Sequence, residues 1–217
     1  MKTVALLVCL FAFCNLMLLA QRKEGLRSEQ VGEKSAMKAT PQEDPAGLKT
    51  IYTNLGKSKT ELYDGFGFVV SGPNSAYGYS EFEALPFTPK SNAHVTQVQV
   101  AVLYAGSGAN QVNLSIYSDS SGIPGTLLAG PVTVTNLPAH GTCCGLALAA
   151  FSPVPVAAGT QYWVVADTPL TGPGSDFTGN WAQSAKPIIP FAAAHSSGWY
   201  AANGNELPAG EVQGTVP

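Results

Sequence analysis

The sequence predicts an all-β domain, folded as an antiparallel β-sandwich of the jelly-roll kind. Three observations carry that expectation. Charged residues make up 12 % of the 217-residue chain, against roughly 25 % in an average soluble protein. The 23 glycines and 16 prolines suit short strands joined by turns better than helices. Apolar residues alternate with period two in run after run, with turn signals about every 8–12 residues. No internal repeat points to a propeller.

The chain opens differently. Lys2 precedes an apolar run that reaches Ala20 and is broken only by Asn15. A basic start before an apolar core is the pattern of a secretion signal. The run is longer than the usual h-region, ends on Leu18-Leu19-Ala20 without a good small-x-small cleavage site, and is flanked by Arg22 and Lys23. Residues 1–20 therefore read as a signal peptide or, if uncleaved, as an N-terminal membrane anchor near the short limit for spanning. Cys9 and Cys14 are apolar filler in that run.

Residues 21–50 read as a disordered polar tether. They hold six basic and five acidic side chains, Pro41 and Pro45, and no aromatic residue. Too little apolar surface is present to offset the entropy of ordering. Residues 51–217 carry four basic and nine acidic side chains, so neither this part nor the net charge of −3 favours nucleic acid as a partner.

The β-domain is expected to run from residue 51 to residue 217. Ile51-Tyr52 opens a first strand, and Tyr63, Phe66, Phe68, Val69 and Val70 form an apolar cluster before a turn at Ser71–Asn74. Glu81 and Glu83 share one strand face but read as part of an ordinary loop region, which leaves glycoside hydrolysis unsupported. Val98, Val100, Val102 and Tyr104 form one face of a half-buried strand, with Gln97, Gln99 and Ala101 on the other. Gly106–Asn110 reads as a hairpin connection to a strand in which Val112, Leu114 and Ile116 point inward. A turn around Asp119 follows, and Pro131 places the next strand at an edge or at its own start. Cys144, Leu146 and Leu148 alternate inward, and Pro153, Pro155 and Ala158-Gly159 mark a corner. Tyr162–Ala166 is apolar on both faces and so central. Lys186–Phe191 reads as extended, and Glu211–Thr215 as a closing strand.

The string VQVAVLYAGSGANQVNLSIYSDSSGIPGTLLA, followed by GTCCGL, AGTQYWVVAD, SSGW and EVQGTV, resembles the choice-of-anchor R domains. Those are secreted bacterial β-sandwich domains of unknown function, named for their varied sorting tails. The resemblance spans residues 51–217 and rests on the order of these segments rather than on one motif. It implies an extracellular sandwich and brings no catalytic residues. The sequence closes on Val216-Pro217 without a sorting tail, so any anchor is expected at the N-terminal side.

Candidate chemistry is sparse. Cys143-Cys144 could close a vicinal disulfide in an oxidising compartment, or pack as separate thiols. His140 near Cys143 fits no common zinc spacing. Asp119 in DSSG could offer oxygen to calcium, although an Asx-type turn is the plainer reading. Trp181, Trp199 and Tyr200 lie in apparent late loops, where they could stack on sugar rings or simply seal the end of the sandwich. Asn113-Leu114-Ser115 is a formal glycosylation sequon. G-x-S-x-G, H-E-x-x-H and Walker-type sequences are absent. No cofactor is expected. The expectation is an exported, secreted or envelope-associated, non-catalytic module that binds an extracellular glycan or cell-surface component. A polysaccharide-acting hydrolase and a purely structural envelope protein are the alternatives.

Overall fold

The computed structural model describes residues 47–55, 64–142, 145–184, 193–195, 198–201 and 207–217. The segments assigned to signal and tether, apart from residues 47–50, lie outside the described residues, as do Lys186–Phe191 and the Cys143-Cys144 pair. The described residues form thirteen strands: β1 Lys49–Thr53, β2 Asp64–Ser71, β3 Phe82–Phe87, β4 Ala93–Val100, β5 Val102–Ser107, β6 Gln111–Asp119, β7 Pro124–Thr135, β8 Ala147–Val156, β9 Tyr162–Asp167, β10 Thr178–Gln183, β11 Ala193–His195, β12 Trp199–Ala201 and β13 Gly210–Thr215. They form three sheets, ordered β1-β13-β4-β8, β2-β10-β5 and β12-β11-β3-β9-β6-β7. Every pairing between these strands is antiparallel. The all-β sandwich is the fold.

The core lies between the six-stranded sheet and the other two. Val112, Leu114 and Ile116 of β6, Val164 and Ala166 of β9, and Leu85 and Phe87 of β3 meet Val98 and Val100 of β4, Val212 of β13 and Trp181 of β10 in one buried cluster. Alternation fixes which residues go there, because side chains two apart share a face. The expected inward set on β6 and the central position of β9, between β3 and β6, are both present.

Several local expectations fail for identifiable reasons. The 98–104 run is not one strand: it splits at Ala101, whose N–H donates to Ala209, and continues as β5 in a different sheet. Its second face is not solvated, since Gln97, Gln99 and Ala101 are all buried. The amides are matched instead, with Gln97 and Gln99 Nε2 both donating to Gln213 Oε1 at 2.7 and 3.1 Å. Gly106–Asn110 is no hairpin, because β5 pairs with β10 whereas β6 pairs with β7 and β9. The connection crosses between sheets. A side chain on Gly108, which has φ +77°, would run into the Asp176 backbone, so the crossing demands glycine.

In β8 the residues in the main core are Ala147 and Ala149; Leu148 is half-buried, and Leu146, just before the strand, packs against the separate Leu55–Ala101–Leu103 cluster. Pro153 and Pro155 lie within β8 rather than at a corner. An edge strand tolerates proline because one row of its N–H groups needs no partner. β7 is the other proline-bearing edge, with Pro131 in its interior.

Candidate functional site

Asp119 holds a turn. Its carboxylate accepts from the Gly122 N–H at 3.2 Å, from Gln161 Nε2 at 2.8 Å and from Trp163 Nε1 at 2.9 Å. The Ser120 N–H closes the same turn on Ile123 O at 2.8 Å. Ser121 and Gly122 have φ 58° and 86°, a bend that a short Asx turn supports. Asp176 is engaged elsewhere, accepting from the Ala109 N–H at 3.1 Å. Asp167 stands at the other end of β9. No cluster of three or more His, Cys, Asp or Glu able to hold a metal occurs among the described residues.

The three aromatic residues do not meet. Trp181 lies in the middle of β10, is fully buried, and donates its indole N–H to Ala209 O at 2.9 Å. It is a core residue with no face to offer a ligand. Trp199 and Tyr200 are in strand β12, not in a loop, and adjacent strand residues point to opposite faces. Trp199 packs against Ala84, Trp163 and Val165 on the outer face of the six-stranded sheet, where half-buried Tyr117 and Ile123 join it. Tyr200 turns inward.

That inward turn reveals the residues the sequence concealed. Tyr200 is in register with Ala194, and Ala194 with Glu83. Glu83 shares the face of Leu85 and Phe87, so it points into the sandwich. Glu81 is bridged to Ser71 by backbone bonds of 2.9 and 3.0 Å in the two directions. The two carboxyls are only 5 % and 4 % exposed. The expected loop region is thus the start of a buried strand.

The Tyr200 hydroxyl donates to Glu81. Burial pushes the Glu81 carboxyl up to about 7, against the pull of that hydrogen bond. Burial, then the neighbouring Glu81, pushes Glu83 well above the usual carboxylate range. Burial and both glutamates raise the Tyr200 phenol. Glu83 Oε2 and Thr168 Oγ1 are buried without a hydrogen-bond partner among the described residues. β2, β3, β9, β11 and β12 contain no lysine or arginine. Burial here therefore favours the protonated carboxyls over the charged ones. Its signal in the sequence was the E-x-E spacing next to a strand apolar on its other face.

A third acid lies on the outer face. Asp167 of β9 is opposite Asn113 of β6, whose Oδ1 accepts from Thr133 Oγ1 at 2.8 Å. Burial lifts the Asp167 carboxyl to about 6, and the Asn113 hydrogen bond opposes that. Asn113 is the residue of the glycosylation sequon, and here it is buried and bonded on a strand. Across the molecule, β7 and β8 flank a groove of about 550 Å³ lined by Leu128, Ala129, Val132, Phe151 and Val154. Its side chains are apolar apart from Ser152.

No family model matches the chain, and no curated protein matches it.

Proposed function

We propose that the chain is an exported, non-catalytic β-sandwich module of the choice-of-anchor R kind that binds an extracellular glycan at the cell surface. The observation that supports this is the outer face of the six-stranded sheet. Half-buried Trp199 and Tyr117 flank buried Trp163 there, with Asp167 and Asn113 on the same face. Aromatic rings beside hydrogen-bonding carboxyl and amide groups suit the apolar faces and hydroxyls of sugars. Export rests on the N-terminal segment, which would be the only membrane contact.

The test is binding of the purified protein to a glycan array and to isolated envelope polysaccharide. Trp199→Ala and Tyr117→Ala are each expected to weaken binding about tenfold or more, a loss near 1.4 kcal/mol for an anchoring aromatic. Undiminished binding in both variants places the site elsewhere. Failure to bind any glycan leaves the structural reading. N-terminal sequencing of the exported protein decides between signal and anchor.

One observation favours a second reading, a secreted polysaccharide hydrolase. Glu81 and Glu83 are adjacent carboxyls with raised pKa values, which a general acid requires. Against it, both point into the sandwich. Hydrolysis by the purified protein that is abolished by Glu83→Gln would establish this reading.

A further inference from the structure

We propose that the edge strand β12 is latched by pH: with Tyr200 it closes over the buried Glu81–Glu83 pair while that pair keeps a proton, and losing the proton to solvent releases the strand.

The geometry carries the inference in three steps. Among the described residues, β12 is the outermost strand of its sheet and pairs along one edge, with β11. Its described attachment through side chains is double, by Tyr200 to Glu81 on the inner face and by Trp199 to the Ala84–Trp163–Val165 cluster on the outer face. The groups that Tyr200 rests on are two carboxyls with almost no solvent contact.

Among the described residues of the surrounding strands there is no lysine or arginine to compensate the pair. β9 offers Asp167, which lies on the other face, and Thr168 is uncharged. β2 offers Asp64, in register with Gln183 and far along the strand from Ser71. β11 offers His195, in register with Phe82 and Trp199 rather than with Glu83. Tyr77 and Tyr79, in the loop before Glu81, are exposed. β12 itself offers only Tyr200. Glu83 Oε2 has no hydrogen-bond partner among the described residues, so a carboxylate formed there is poorly solvated. Desolvated charge of that kind is costly. Water reaches the pair at least cost by lifting the strand with the fewest backbone bonds, since local openings begin at such elements. The Glu81 carboxyl, raised to about 7 by burial, places the release near neutral pH.

The test is hydrogen–deuterium exchange on the full chain at about pH 6 and about pH 8.5, corrected for the intrinsic rate, in the presence of EDTA. Protection of the Trp199–Ala201 amides is expected to fall about tenfold or more at the higher pH, while β4 and β13 keep theirs. Glu83→Gln, or Glu81→Gln if the first folds poorly, is expected to remove the step. Equal protection at both pH values overturns the proposal, and so does a step that survives both substitutions. Equal loss across β4 and β13 also overturns it, because that marks global unfolding. The measurement uses no glycan, so it succeeds or fails apart from the binding reading above.

Discussion

Asp119 ends β6 on the outer face of the six-stranded sheet, and its carboxylate collects three donors from Gly122, Gln161 and Trp163. Glu81, just before β3, and Glu83 within it lie on the inner face at the opposite end, and the Tyr200 hydroxyl donates to Glu81. Both regions bring carboxyls into a β-sandwich. In the first, polar hydrogens surround the charge and hold a turn. In the second, burial outweighs the donor given for Glu81 and pushes both carboxyls above the usual carboxylate range. An acid matched by donors is architecture, whereas an under-matched one responds to its surroundings. The difference shows where function is to be sought, and it is the reverse of what loop composition suggests.

The largest expected effect breaks the matched end. Asp119→Ala removes the acceptor of a fully buried indole N–H, of the Gly122 N–H and of Gln161. Leaving a buried donor unsatisfied costs about 1–3 kcal/mol. Gln161 and Gly122 regain water more easily, so the total loss is expected at about 3–4 kcal/mol by urea denaturation. Asp119→Asn, which keeps one acceptor oxygen, is expected to lose about half of that. A loss below about 1 kcal/mol for the alanine variant would show that the turn does not depend on its acid.

The unmatched end is expected to set the pH dependence of stability. Glu81 and Asp167 both have folded-state values above those of the unfolded chain, about 7 and about 6. A group raised on folding contributes stability that is fully present below its unfolded value and is lost as pH rises through the folded one. The domain is therefore expected to be most stable in mild acid and to weaken from about pH 5 to pH 8. For Glu81 alone the ceiling is about 3 kcal/mol, at about 1.4 kcal/mol per pKa unit. Denaturant midpoints taken across that range check the sign. A domain that gained stability between about pH 5 and pH 8 would mean the carboxyls are already ionised and solvated.

How much of this was legible in the sequence follows from the same contrast. Val112, Leu114, Ile116 and the two-sided apolar run at Tyr162–Ala166 announced their places, because alternation reports burial directly. The Asp119 turn was legible too, because its Asx-turn pattern is local in the chain. Trp181 was misplaced because Gly and Pro ahead of it resemble a loop, although the residue itself continues a strand. Gln97 and Gln99 look like a wet face in the sequence, since their polarity conceals that both donate to Gln213. Glu81 and Glu83 were set aside for a comparable reason. Their burial depends on β12, which arrives more than a hundred residues later, and period-two reading cannot know which strand will cover which.

Glu83→Gln sharpens the comparison by removing the charge while keeping the shape. At about pH 8 the amide is expected to raise stability by about 1–2 kcal/mol, because a buried group no longer has to hold or lose a proton. At about pH 5, where the carboxyl is protonated and nearly isosteric with the amide, the change is expected within about 0.5 kcal/mol. The diagnostic is that pH difference in the gain. Equal gains at both values would point to better hydrogen bonding by the amide rather than to relief of charge.

Asp167 lies between the two extremes, and it gives the smallest and most discriminating test. It has one side-chain donor, Asn113, which is in turn fixed by the Thr133 hydroxyl at 2.8 Å. Thr133→Val removes that outer hydrogen bond and keeps the β-branched shape favoured in a strand. Stability is expected to fall by about 0.5–1 kcal/mol, the usual value of one partly buried bond. With Asn113 less well held, the Asp167 carboxyl loses part of its stabilisation and is expected to titrate above its present value of about 6. Carboxyl chemical shifts followed by NMR report that directly. An upward move would show that donor supply, and not depth of burial alone, separates the acids of this sandwich. An unchanged titration would mean burial by itself sorts them, and the contrast between Asp119 and the glutamate pair would reduce to exposure.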